Sequence, residues 1–151
     1  MALGSPFLRQ VMITSQTTET RSVEETLAFG ERLGRELQRG DVVALVGGLG
    51  AGKTVLVKGI ARGLGIAQEA TSPTFTLIHE YTGGRLQLFH IDLYRLDTIN
   101  QVLAIGIEEY LNGPGVTVIE WSEKMEALVP STAKRIRITA LDNNVRRIEV
   151  A

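Results

Sequence analysis

Between an apolar run, Val42-Val43-Ala44-Leu45-Val46, and a helix-forming stretch, Val55-Leu56-Val57-Lys58-Gly59-Ile60-Ala61, lies Gly47-Gly48-Leu49-Gly50-Ala51-Gly52-Lys53-Thr54. The apolar run reads as a buried strand, so the chain turns from strand to helix through a segment half made of glycine. The spacing is G-x-x-x-x-G-K-[ST], in which glycine lets the backbone wrap until successive N–H groups face inward at an anion. The helix that follows adds the positive end of its dipole to the same spot. In such a loop Lys53 reaches the β- and γ-phosphates of a nucleoside triphosphate, and the Thr54 hydroxyl holds the accompanying Mg²⁺. The four fixed positions recur by chance in roughly one chain of this length in a few hundred. The expectation is therefore triphosphate binding by Leu49, Gly50, Ala51, Gly52, Lys53, Thr54 and Val55.

Composition narrows the rest. At 151 residues, 44% apolar and 22% charged, the chain fits one globular domain with a real core. Its formal net charge of −1 makes it no electrostatic trap for nucleic acid or an anionic membrane. Without cysteine it has no disulfide, thiolate zinc site or cysteine nucleophile, which suits a reducing compartment. No apolar run approaches the length that spans a bilayer. Residues 1–10 read as a disordered extension, residues 11–151 as the domain, and the expected location is the cytoplasm.

Taken in order, 11–14 suggests a short strand and 15–21 is a polar run. Ser22-Val23-Glu24-Glu25 is a capping box, with Ser22 as the cap and Glu25 reaching back to its N–H. The helix it opens places Val23, Leu27, Gly30, Gly34 and Leu37 on one face, the two glycines allowing close packing on a sheet, and Gly40 ends it. Residues 75–81 and 86–91 read as an antiparallel hairpin around Thr82-Gly83-Gly84. Asp97 or Thr98 caps a helix interrupted near Gly106 and resumed through Tyr110. Val116-Thr117-Val118-Ile119 is a buried strand ending at Glu120-Trp121. A short helix over 122–128 stops before Pro130, and 135–140 with 145–150 alternate as a half-buried hairpin. The fold class is α/β: a three-layer P-loop NTPase fold with a mixed, mostly parallel central sheet and added antiparallel hairpins.

A phosphate loop needs an acidic partner for Mg²⁺ at the end of a buried strand. Glu120 and Asp92 both close such strands, and His90 shares the Asp92 side of its strand. Ser72 and Thr74 put hydroxyls in a turn of the kind that senses a γ-phosphate. There is no N-K-x-D guanine-reading motif, which favours ATP over GTP. His79 and His90 lack companions for a zinc site. Trp121 reads as core, with nucleotide or partner contact as the alternative. Arg135, Arg137 and Arg147 are expected to share the outward face of the last hairpin, as a solvated edge.

These motifs resemble, in order and spacing, the TsaE (YjeE) family. The resemblance rests on the loop at 47–54, Ser72-Pro73-Thr74-Phe75-Thr76-Leu77, His90-Ile91-Asp92-Leu93-Tyr94-Arg95-Leu96 and Ile119-Glu120-Trp121, with Glu24-Glu25-Thr26 upstream. It implies a small P-loop ATPase needed for N6-threonylcarbamoyladenosine (t6A) on tRNAs decoding ANN codons. Such a protein acts with TsaB and TsaD and meets tRNA only through that complex. The resemblance further implies that Lys53 and Thr54 bind phosphate and Mg²⁺, with Glu120 as a further metal-side ligand. Asp92 then holds Mg²⁺ or orients the attacking water, in a switch with Tyr94 and Arg95. Ser72 and Thr74 form the other switch, and Thr26 lies near the base. Many members carry an acidic residue where this chain has Gly48; that side chain would point away from the phosphates.

The mechanism expected is Mg²⁺-dependent hydrolysis of ATP by in-line attack of water, with Lys53 and the loop amides carrying the developing charge. Arg95 is a candidate arginine in cis. Turnover is expected to be slow for the chain alone and to depend on a partner. The alternatives are a small-metabolite kinase and a nucleotide-gated binding module.

Overall fold

Three strands that are almost wholly apolar need cover on both faces, and the fold supplies it. The computed structural model describes residues 16–68, 70 and 77–151. In chain order the elements are β1 (Gln16–Thr20), α1 (Val23–Glu36), β2 (Val42–Val46), α2 (Lys53–Gly63), β3 (Ile78–Tyr81) and β4 (Leu88–Asp92). Then come α3 (Ile99–Ala104), α4 (Ile107–Leu111), β5 (Val116–Glu120), a 3₁₀ helix (Ser122–Leu128), β6 (Lys134–Ala140) and β7 (Arg146–Val150). The sheet runs β1-β7-β6-β2-β5-β4-β3. Its centre, β6-β2-β5-β4, is parallel, and antiparallel strands finish both sides.

Alternation sorts the side chains of each strand into two cores. Val43, Leu45, Val116, Val118, Ile136 and Ile138 pack under α1 and α2. Val42, Ala44, Ile91 and Ile119 pack under α3, α4 and the 3₁₀ helix, against Val102, Ile107 and Met125. This is the expected three-layer arrangement. Arg135, Arg137 and Arg147 lie, as anticipated, on the face of β6 and β7 turned away from α1 and α2. They are not at an edge, because β1 flanks β7 and β2 flanks β6, and Arg135 pairs with Glu126 (2.7 Å). Among the described residues no helix is long and apolar enough to cross a membrane.

Several local readings need correction. The polar run at 15–21, in which the sequence suggests no element, contains β1, whose threonines satisfy their backbone by pairing with β7 at the sheet edge. The strand anticipated at 11–14 lies outside the described residues. β3 begins at Ile78 rather than Phe75, because Leu77 is left-handed (φ 65°), which breaks a strand; 75 and 76 are outside the described residues. Ser22 Oγ does accept the Glu25 N–H (3.1 Å), but the Glu25 carboxylate takes the N–H of Arg21 (2.8 Å), not that of Ser22. Thr98, not Asp97, caps α3, in a complete box with Gln101.

The end of α1 and its buried face also differ. The helix stops at Glu36 because the Arg85 guanidinium takes the carbonyls of Gly34, Arg35 and Leu37, so no glycine is needed there. Gly40 (φ 88°) serves instead in the turn into β2, its N–H donating to Gly115. The buried stripe is Thr26, Phe29, Gly30, Leu33 and Gly34, while Val23 is 54% exposed. Its glycines meet α2, not the sheet. A Cβ on Gly30 would sit 2.6 Å from the Leu56 carbonyl oxygen and 2.8 Å from the Gly59 Cα, and Gly34 abuts Ile60 and Gly63 in the same way. Glycine faces glycine at two successive turns, so the backbones cross in contact, as small-xxx-small pairs do.

That crossing fixes where α2 begins. Gly30→Ala is expected to cost about 1–3 kcal/mol by overpacking, despite alanine's better helix propensity. Urea unfolding measures it; a more stable variant would contradict the crossing.

Candidate functional site

The register brings three strand ends side by side. In the parallel core Leu45 of β2 pairs with Glu120 of β5, and Glu120 pairs with Asp92 of β4. The glycine loop leaves β2 one residue later, so loop, Glu120 and Asp92 must meet at the carboxyl edge of the sheet, where open α/β sheets bind ligands. Gly50 (φ 75°) and Gly52 (φ 104°) take left-handed conformations that wrap the loop onto α2. Gly52 is the N-cap and offers no side-chain acceptor, so the first turn of α2 keeps its N–H donors for another partner.

A cavity of about 450 Å³ opens at this point. It is lined by every residue from Leu49 to Val55, by Asp92 at the end of β4 with Tyr94 and Arg95 beyond it, and by Glu120 at the end of β5 with Trp121 beyond it. The structure therefore gathers most of the sequence-derived candidates into one place. Ser72 and Thr74 lie outside the described residues. Thr26 does not line this cavity but an adjoining smaller crevice that shares Gly52, Val55 and Arg146 with it, with its hydroxyl 2.7 Å from that of Thr20.

Lys53, Asp92 and Glu120 are buried, at 6%, 7% and 3% exposure. Burial holds the Lys53 ammonium below the ordinary lysine value, while the carboxylates of Glu120, Asp92 and Glu123 pull it back up. Its Nζ donates to the Gly47 carbonyl (2.5 Å) and sits 3.9 Å from the centre of the Trp121 ring. Trp121 is left-handed (φ 59°), and Tyr94 stacks on it at 5.0 Å. Asp92 Oδ1 accepts the Tyr94 N–H (3.0 Å), which fixes the chain as it leaves β4. Glu120 Oε2 accepts from His90 Nε2 (2.5 Å), with the imidazole fully buried.

Two lining residues were missed by the sequence reading. Leu77 carries the positive φ noted above, and its carbonyl accepts the Asp92 N–H (2.9 Å). Arg146 reaches across from the start of β7: Nη1 donates to the carbonyls of Asp142 and Val145, and Nη2 to that of Gly50 (3.4 Å). No local signal marks either one; Arg146 stands beside Arg147, and only the β6–β7 turn decides which arginine faces the loop.

The residues fit a magnesium–nucleotide. The uncapped helix start and Lys53 suit phosphate, and the Thr54 hydroxyl with two strand-end carboxylates supplies the oxygen donors that Mg²⁺ prefers. Mg²⁺ keeps water and substrate phosphate in its shell, so few protein ligands are needed.

The chain is similar to known proteins over most of its length. Residues 20–148 match the family described as "Threonylcarbamoyl adenosine biosynthesis protein TsaE". The tRNA threonylcarbamoyladenosine biosynthesis protein TsaE of Treponema pallidum is 46% identical over 132 residues, 87% of this chain and 97% of that protein. The Bacillus subtilis protein of the same name is 41% identical over 129 residues, covering 85% and 80%. The crystal structure of Bacillus subtilis YdiB superposes with a TM-score of 0.78 at 36% identity, over 90% of this chain and 84% of that one.

Trp121 is the single tryptophan, so its emission reports on the ring beneath Lys53. Lys53→Met is expected to change that emission in the absence of any ligand. An unchanged spectrum would mean that ammonium and ring do not meet in solution.

Proposed function

The chain belongs to the TsaE family, and from that premise we propose that it is a Mg²⁺-dependent P-loop ATPase serving t6A modification of tRNA in the cytoplasm. The observation that carries the reading is the convergence of Lys53, Thr54, Asp92 and Glu120 on one cavity at the uncapped start of α2. A metabolite kinase would have to place its acceptor in the same space.

The roles follow from position. The amides of the loop and of the first turn of α2 hold the phosphates. Lys53, released from the Gly47 carbonyl, turns its ammonium to the β- and γ-oxygens and takes up charge as the terminal phosphoryl group separates. Thr54, with Glu120 or Asp92, holds the metal. The chemistry the metal would supply there is neutralisation of the charge that develops on the phosphates. The carboxylate not engaged with the metal is placed to orient the attacking water. Arg95 and Arg146 both line the cavity. Arg146 is tied to backbone carbonyls and braces the loop. Arg95, in the segment that follows Asp92, is the candidate for stabilising the transferring group from within the chain. The partners proposed are TsaB and TsaD, with tRNA met through the complex, and a near-neutral chain suits that indirect contact.

Two expectations follow. Lys53→Ala weakens binding of Mg–ATP by more than about tenfold, because a buried charge-assisted contact is lost. Glu120→Gln keeps metal-free nucleotide binding but lowers hydrolysis by about a hundredfold or more. Calorimetry and phosphate release measure both, and wild-type turnover in either variant would contradict the assignment. For the partners, adding TsaB and TsaD is expected to raise the rate of ATP hydrolysis. Equal turnover with and without them would show that the chain's own site is complete.

A further inference from the structure

One fully buried side chain at this site has no role in the mechanism just described. His90 stands on β4 two residues before Asp92, opposite Val118, so it points to the same side of the sheet as Glu120 on the neighbouring strand. A carboxylate only accepts hydrogen bonds, so His90 Nε2 carries the proton in its 2.5 Å contact with Glu120 Oε2. Among the described residues Nδ1 of the same ring has no partner, although it too is buried. A buried polar atom without a partner is costly, and a leucine or phenylalanine in this position would carry no such cost. Among the described residues the one hydrogen bond the imidazole makes is with a carboxylate that lines the phosphate cavity.

Glu120 has a second cation within reach of its field. The Lys53 ammonium is attracted to Glu120, yet its hydrogen bond goes to the Gly47 carbonyl. A carboxylate at a strand end with a free choice of partner would swing to the ammonium, and both groups would be lost to a ligand. Oε2 is instead held by His90 Nε2. Oε1 makes no hydrogen bond among the described residues, and Glu120 lines the cavity.

We infer that His90 is the positioning residue for Glu120: its Nε2–H pins one carboxylate oxygen so that the other faces the metal of the bound nucleotide and stays off Lys53. The inference rests on the reading of the site as a magnesium–nucleotide site. Outer ligands of this kind set the orientation of first ligands, and their loss commonly costs about 10- to 100-fold in metal affinity.

The test uses the full chain and a non-hydrolysable ATP analogue, titrated calorimetrically with Mg²⁺ and with EDTA. The readout is the ratio of the two dissociation constants. Gln at position 90 places an amide N–H where Nε2 stands, whereas Asn is too short to reach Glu120. The two cost similar amounts to bury. His90→Gln is expected to keep the wild-type ratio within about threefold, and His90→Asn to lower it by about tenfold or more. Metal-free binding should be unchanged in the Gln variant. Any weakening of it in the Asn variant, from Glu120 turning onto Lys53, enters both constants and leaves the ratio to report on the metal. His90→Leu repeats the measurement with no donor at all and is expected to behave as Asn does, which covers the case of an Asn variant that does not fold. A full Mg²⁺ effect in the Asn or Leu variant overturns the inference, as does a Gln variant that loses as much as they do. Failure of the wild-type chain to bind the analogue more tightly with Mg²⁺ would instead overturn the reading of the site itself.

Discussion

Three charged side chains, Lys53, Asp92 and Glu120, are buried together at the carboxyl edge of the sheet, and each needs the others' elements to stay in place. A buried charge is tolerated only with a partner and a fixed geometry. Here the geometry comes from strand register. The neighbouring β2, β5 and β4 end in step, so the loop that follows β2 opens directly onto the two carboxylates. Slipping one of these pairings by a residue would turn Glu120 or Asp92 to the other face, into the core built on Ile91 and Ile119.

The helix that carries Lys53 is held just as tightly. Its start is set by the loop glycines, and its axis by the contact of Gly59 and Gly63 with Gly30 and Gly34 of α1. At its far end Gly65 is left-handed, and the N–H groups of Gly65 and Ile66 return to the carbonyls of Arg62 and Ala61, which closes α2 with a Schellman turn. Both ends and the middle of α2 are therefore specified by backbone contacts rather than by long side chains. A rigid platform of this kind keeps an anion-binding helix start in one position.

Much of this could be read from the chain alone, for a physical reason. The signals that survive in one dimension are local: an apolar run before a glycine turn, a Ser or Thr followed three residues later by Glu or Gln, an acid closing an apolar strand. They correctly placed β2, α2 and the ends of β4 and β5. What they could not give are partners distant in sequence. Gly30 and Gly34 look the same whether they meet a sheet or a helix. The β1 segment has no apolar stripe, since its stability comes from pairing with β7 more than a hundred residues later. His90 and Glu120 are thirty residues apart and join only through the β4–β5 register. Arg146 and Arg147 differ by a single position, and the turn that separates their directions carries no apolar pattern.

The central claim is that the loop amides, Lys53 and the two strand-end carboxylates form one receptor for a metal-bound triphosphate. A crystal structure of the chain grown with Mg²⁺ and a non-hydrolysable ATP analogue tests it most directly. The account predicts phosphate density against the N–H groups at the start of α2, with the metal between the Thr54 hydroxyl and at least one of Glu120 and Asp92. An ordered nucleotide bound anywhere else, or a metal that touches neither carboxylate, would contradict it.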